Sequence, residues 1–159
     1  DSWALIAKDY PDWKLRSVGE GYTDTRILQK VKEYGLESQF ELCPFTKEIQ
    51  KHYLSASVYV MTSAFEGLPL VLVEAESMGL PLVSYACPCG PRDIITEGKE
   101  GFLVEPGDQK TFAARLRTLI EDEDLRRQMG QAAKLNSERF SLDNVMKQWE
   151  ALFAELTAK

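Results

Sequence analysis

Ser63-Ala-Phe-Glu66-Gly67-Leu68-Pro69-Leu70-Val-Leu-Val-Glu74-Ala-Glu76-Ser-Met-Gly79 is the stretch on which the reading of this chain turns. The apolar run Val58–Met61 before it reads as a short buried strand. Pro69 suits a first helical position and Gly79 a helix end, so a helix is expected between them. Its side chains are nearly all apolar, which predicts burial on most sides. Two carboxylates stand out, Glu66 before the helix and Glu74 within it. Desolvating an unpaired charge is expensive, and a helix N-terminus offers free N–H groups to an anion. The pattern suits a ligand carrying a phosphate for the N–H groups and hydroxyls for the carboxylates. Simpler readings stay open: Glu66 as a helix cap, Glu74 in a salt bridge. Glu76 reads as a solvated residue near the helix end.

Outward from this stretch, short strands alternate with helices. Strands are expected at Leu15–Val18, Phe40–Cys43, Pro81–Tyr85 and Phe102–Val104. Helices are expected at Thr25–Tyr34 (Ile27, Leu28, Val31 and Tyr34 on one face), Lys47–Ser55 after a Thr46 cap, and Gln109–Glu121 after Asp108. Two more follow, Asp124–Phe140 and Leu142–Leu156, the last capped by Ser141. Ser2 to Tyr10 reads as the end of an amphipathic helix, which suggests a chain cut from something longer. The alternation predicts an α/β fold: a Rossmann-like parallel sheet with helices on both faces. Ligands bind such sheets at the carboxyl ends of the strands. The Gly19-Glu-Gly21 turn, the loop at Pro44, the Glu66 turn and the Gly90 loop all fall at that edge. Gly19 and Gly21 would allow close backbone approach to a phosphate, although Gly-x-Gly alone also fits a plain turn.

The remaining features narrow the function classes. With 159 residues, the chain is one domain with room for a substantial core. A net charge of −6 without a basic stripe argues against nucleic acid. No apolar run is long enough to span a bilayer, and no signal peptide opens the chain. Three cysteines form no disulfide framework and point to a reducing, cytoplasmic compartment. Cys87-Pro-Cys89 lacks the partners of a metal site, so no metal or cofactor is expected. His52, the only histidine, reads as a surface residue rather than a catalytic base.

Glu66-Gly-Leu-Pro-Leu-Val-Leu-Val-Glu74 resembles the paired-glutamate motif of retaining GT-B glycosyltransferases of family GT4, the glycosyl transferase group 1 family. The resemblance extends over Tyr10–Gly21, Cys87–Ile95 and Gly98–Val104. It implies a C-terminal, donor-binding half of a two-domain enzyme that takes a nucleotide-diphosphate sugar and transfers a hexose-type sugar. Glu66 would then hold sugar hydroxyls, Glu74 ribose hydroxyls, and Gly67 and Leu68 N–H groups would face sugar and phosphate, with Leu70 beside them. Pro44 departs from the pattern, since relatives often carry a glycine where the backbone meets the base. Relatives also carry a phosphate-neutralising Arg and Lys upstream of residue 1, and an N-terminal acceptor domain. The isolated chain is therefore expected to be inactive, and the full-length enzyme is expected in the cytoplasm, free or peripherally at a membrane. A GT-B sugar-nucleotide epimerase and a non-catalytic nucleotide-binding or interaction module are the rival readings. A receiver domain fits less well, because no acidic pair follows the early strand. The stripe Leu142, Val145, Met146, Trp149, Leu152, Phe153 and Leu156 predicts an apolar face on the last helix. Weak self-association, or loss of order after Trp149, is expected of it.

Overall fold

The computed structural model describes residues 1–20 and 25–158. Two 3-10 turns, Trp3–Leu5 and Ala7–Asp9, replace the α-helix expected at the start. Trp3, Ile6 and Ala7 are buried by them while Leu5 is exposed. There follow β1 (Leu15–Val18), α1 (Thr25–Glu33), β2 (Phe40–Cys43), α2 (Ile49–Leu54), β3 (Tyr59–Met61), α3 (Leu70–Ser77) and β4 (Leu82–Tyr85). The chain continues through α4 (Pro91–Ile94), β5 (Gly101–Val104), α5 (Gln109–Glu121), α6 (Glu123–Ser137), a 3-10 turn (Glu138–Phe140) and α7 (Leu142–Thr157).

All strand pairs are parallel, as the alternation requires. Among the described residues they form two ladders: β1 with β2, and β3–β4–β5 in that order. The fold is α/β, with helices covering parallel strands. β4 is the inner strand of the larger ladder and is buried at all four positions, Leu82 to Tyr85, the polar Ser84 included, as befits a strand covered on both faces. One core gathers Trp3, Val83, Tyr85, Phe102, Phe112, Leu116 and Leu119 on one side. The other gathers Tyr53, Met61, Leu72, Leu82, Ile94 and Ile95. The caps at Asp108, which accepts from Thr111 N at 3.0 Å, and Ser141, which accepts from Asn144 N at 3.4 Å, are where the sequence places them.

Two helix faces are less covered than the periodicity suggests. On α1 only Val31 is buried, and Ile27, Leu28 and Tyr34 are exposed. On α7 no residue is buried. Exposure of its stripe is not confined to Phe153 and Leu156; it begins at Leu142 and includes Met146, Trp149 and Leu152. The helix nevertheless runs unbroken past Trp149 to Thr157, with the Trp149 and Phe153 rings stacked at 5.6 Å.

α3 packs on α6 at close range. A Cβ placed on Gly130 of α6 would lie 2.3 Å from the Gly79 carbonyl oxygen, just past the end of α3. No rotamer relieves a backbone contact of that kind. Gly130→Ala is therefore expected to destabilise the fold by about 2–3 kcal/mol, the range for overpacking a tight core, read as a lower melting temperature. An unchanged melting temperature would mean that α6 does not sit this close.

Candidate functional site

The carboxyl ends of β1, β2 and β3 open on a cleft of about 1180 Å³ between the two ladders. Its walls include Ser17, Val18 and Gly19 after β1, Phe45 and Thr46 after β2, and Ile49, His52 and Tyr53 of α2. Tyr59 and Thr62 of the β3 region and Val71 and Glu74 of α3 complete it. Gly19 and Glu74 line this cavity together, whereas Glu66, Gly67, Leu68 and Leu70 are not among its lining residues. Gly19 N–H already donates to the Cys43 carbonyl at 3.1 Å, so its contribution is backbone shape rather than a free donor. Gly21 lies outside the described residues. Pro44 is exposed beside Phe45, and Phe45, not Pro44, lines the cavity. His52, expected at the surface, is half-buried in the cleft wall.

α3 carries the two largest departures from the sequence reading. The helix is not buried on most sides. Leu72, Ala75 and Glu76 face inward, whereas Leu70, Val71 and Glu74 face outward. Glu74 is accordingly an exposed residue on the cleft-facing side. Its Oε2 accepts a 2.9 Å hydrogen bond from the Tyr53 hydroxyl, in place of the Arg or Lys partner considered above. Glu76, expected to be solvated, is completely buried. Asn136 of α6 explains how it can be: its amide donates to both Glu76 oxygens, at 3.0 and 3.2 Å, and to the Ile94 carbonyl at 2.9 Å. Burial pushes the Glu76 carboxyl up to about 7, with a smaller upward push from Glu100 and an opposing pull from Asn136 and Arg139. The sequence gives no signal for this, because Glu76 and Asn136 are sixty residues apart.

Pro69 occupies the N-cap position of α3, one residue earlier than expected, and no side chain caps the helix. Leu72 N–H donates to the Pro69 carbonyl at 2.9 Å, and the N–H groups before it have no side-chain acceptor at this end. Gly67, Leu68 and Leu70 are all exposed at this end, and Glu66 is half-buried. A second turn buttresses the first. Gly90, at φ +83°, packs so closely that an added Cβ would sit 2.5 Å from the Gly67 carbonyl and 2.3 Å from Pro69 Cδ. Only glycine satisfies both the left-handed backbone and that approach.

Tyr59 lines the same cavity as Glu74. Tyr59 of β3 packs its ring on Tyr53, centroids 5.7 Å apart. Its phenol is pushed up to about 12, chiefly by burial and then by the charges of Glu74 and Glu66. Both carboxylates thus act on one phenol at the cleft. Nothing in the sequence pattern singles out Tyr53 or Tyr59, and only the meeting of α2, β3 and α3 reveals them as neighbours of Glu74.

Comparison with known proteins gives this site its context. AmsD, the amylovoran biosynthesis glycosyltransferase of Erwinia amylovora, is 38% identical over 94% of this chain, which spans 41% of AmsD. The crystal structure of TarM superposes with a TM-score of 0.87 at 27% identity, covering 96% of this chain and 31% of that one. HepE of Anabaena, solved in complex with UDP, superposes with a TM-score of 0.86 at 25% identity over 97% of this chain and 44% of its own. The chain thus spans less than half the length of each of these proteins. The family model for glycosyl transferases group 1 matches residues 1–136, which takes in β1 to α6 and every residue of the cleft. The chain belongs to the glycosyl transferases group 1 family.

Proposed function

We propose that the chain is the donor-binding half of a retaining glycosyltransferase that transfers a hexose-type sugar from a nucleotide diphosphate. The observation that carries this reading is the placing of Glu74 on the wall of the cleft that Gly19 and Thr46 also line, on the helix whose N-terminus has no side-chain cap. In this reading Glu74 takes the ribose hydroxyls and Glu66 those of the sugar. The N–H groups at Gly67, Leu68 and the start of α3 meet the diphosphate, where a helix dipole favours negative charge. Leu70 and Gly19 shape the two sides, and the Pro44 loop, with Phe45, borders the base. HepE bound to UDP is consistent with such a donor. Charge that develops on the departing diphosphate needs a preorganised cation. That cation and the acceptor site are assigned to polypeptide beyond these residues, with no metal required. A cytoplasmic place for the protein, with the whole enzyme at a membrane surface or free of it, goes with this reading.

Saturation-transfer NMR with UDP-sugars and GDP-sugars is expected to detect weak binding to the 159-residue chain. No signal from any nucleotide sugar at millimolar concentration would overturn the reading. The same chain is expected to transfer no labelled sugar to any acceptor, because neither the acceptor site nor the phosphate cation is within it. Turnover onto an acceptor by these residues alone would refute the division of labour.

A further inference from the structure

We propose that Tyr53 is a positioning residue: its hydroxyl holds one oxygen of Glu74 so that the other is presented to the vicinal hydroxyls of a ribose. This rests on the donor-binding reading above and adds to it the residue that makes Glu74 selective. Glu74 lies on the exposed side of α3, where a glutamate side chain ordinarily samples several rotamers and loses that freedom when it engages a ligand. Tyr53 removes this disadvantage beforehand. Its ring is buried, packed among Ile49, Tyr59, Met61 and Leu72, and its hydroxyl reaches out of that core to Glu74 Oε2 at 2.9 Å. Among the described residues Glu74 Oε1 accepts no hydrogen bond, and Glu74 lines the same cavity as Gly19, Thr46 and His52. One oxygen is anchored by a buried tyrosine, and the residue that carries both lines the cleft. Tyr53 enters as a neutral phenol, because burial and the neighbouring carboxylate both oppose its ionisation. It therefore donates, and the carboxylate keeps its acceptor capacity for the ligand.

A core tyrosine that merely packed would affect every ligand alike through stability. A tyrosine that orients Glu74 affects recognition of the hydroxyls Glu74 contacts. Calorimetry on UDP, GDP and their 2′-deoxy counterparts separates the two. The wild-type chain is expected to prefer the ribose form of the diphosphate it binds. Tyr53→Phe should weaken that ribose form roughly tenfold, as expected for loss of a hydrogen bond to a charged group, and weaken the 2′-deoxy form, which keeps only one of the two vicinal hydroxyls, by clearly less. Glu74→Gln should erase the preference, and Tyr53→Phe with Glu74→Gln should be no worse than Glu74→Gln alone. Glu74→Asp, which withdraws the carboxylate from an intact Tyr53, should mimic Tyr53→Phe and serves if Tyr53→Phe folds poorly. Equal weakening of ribose and deoxyribose forms by Tyr53→Phe, or wild-type discrimination in both variants, would overturn the assignment while leaving the donor site intact. Failure of the wild type to bind either diphosphate would overturn the donor site, and the assignment with it.

Discussion

Glu74→Ala is expected to abolish detectable binding of nucleotide sugars, while Glu66→Ala weakens it and removes discrimination between sugars. The asymmetry follows from the two environments. Glu74 is prepositioned by Tyr53 on the wall of the cleft, so its contacts to ligand hydroxyls carry little ordering penalty. Charge-assisted hydrogen bonds of this kind contribute about 1.5–3 kcal/mol each. Losing two of them takes a weak millimolar interaction below detection. Glu66 sits in the turn before α3, half-buried, and contacts only the sugar end in this reading. The control is structural. Because Glu74 is exposed, its removal opens no cavity, and the unfolding free energy should stay within about 1 kcal/mol of wild type, as for surface substitutions. Binding by Glu74→Ala equal to wild type would overturn the assignment of the ribose site.

Replacing Glu76 by Gln is expected to stabilise the protein above neutral pH. The Glu76 carboxyl titrates at about 7 in the fold, against an ordinary 4.5. Between those values the native state holds a proton that the unfolded chain has lost, so stability falls as pH rises through that window. Below about pH 4.5 the carboxyl is protonated in both states and the difference vanishes. Above 7 the native state must bury the charge. A shift of this size corresponds to about 3 kcal/mol, or roughly 6–12 °C in melting temperature for a chain of this length. Gln keeps an acceptor for Asn136 without the charge. Wild type should therefore lose stability from pH 5 to 8 while Glu76→Gln stays nearly level across that interval. Parallel pH curves for the two proteins would show that Glu76 is not the group responsible. Asn136→Ala should act in the opposite direction, leaving a buried carboxylate without its donor, which is strongly destabilising at pH 8.

The two experiments probe opposite sides of one helix, and the contrast explains what could be read in the sequence. Strand and helix alternation, the parallel arrangement and the Asp108 and Ser141 caps depend on neighbours within a few residues, and all were legible. So was the placement of the Glu66–Glu74 segment at the carboxyl end of β3, because a parallel strand followed by its helix can put that turn nowhere else. Which side of α3 faces water was not legible. With apolar side chains all around, the helix offers no periodicity from which to choose a face. The choice was made by α6, which arrives some fifty residues later, brings Gly130 against Gly79 and supplies Asn136 as the donor that lets Glu76 be buried. Turning Glu76 inward turns Glu74 outward, toward Tyr53 and the cleft. The sequence by itself determined the order of the elements and the place of Glu66 and Glu74 before and within α3. Only the tertiary structure decided which glutamate of α3 is buried and which meets the cleft, because that depends on a hydrogen-bond partner from a distant helix.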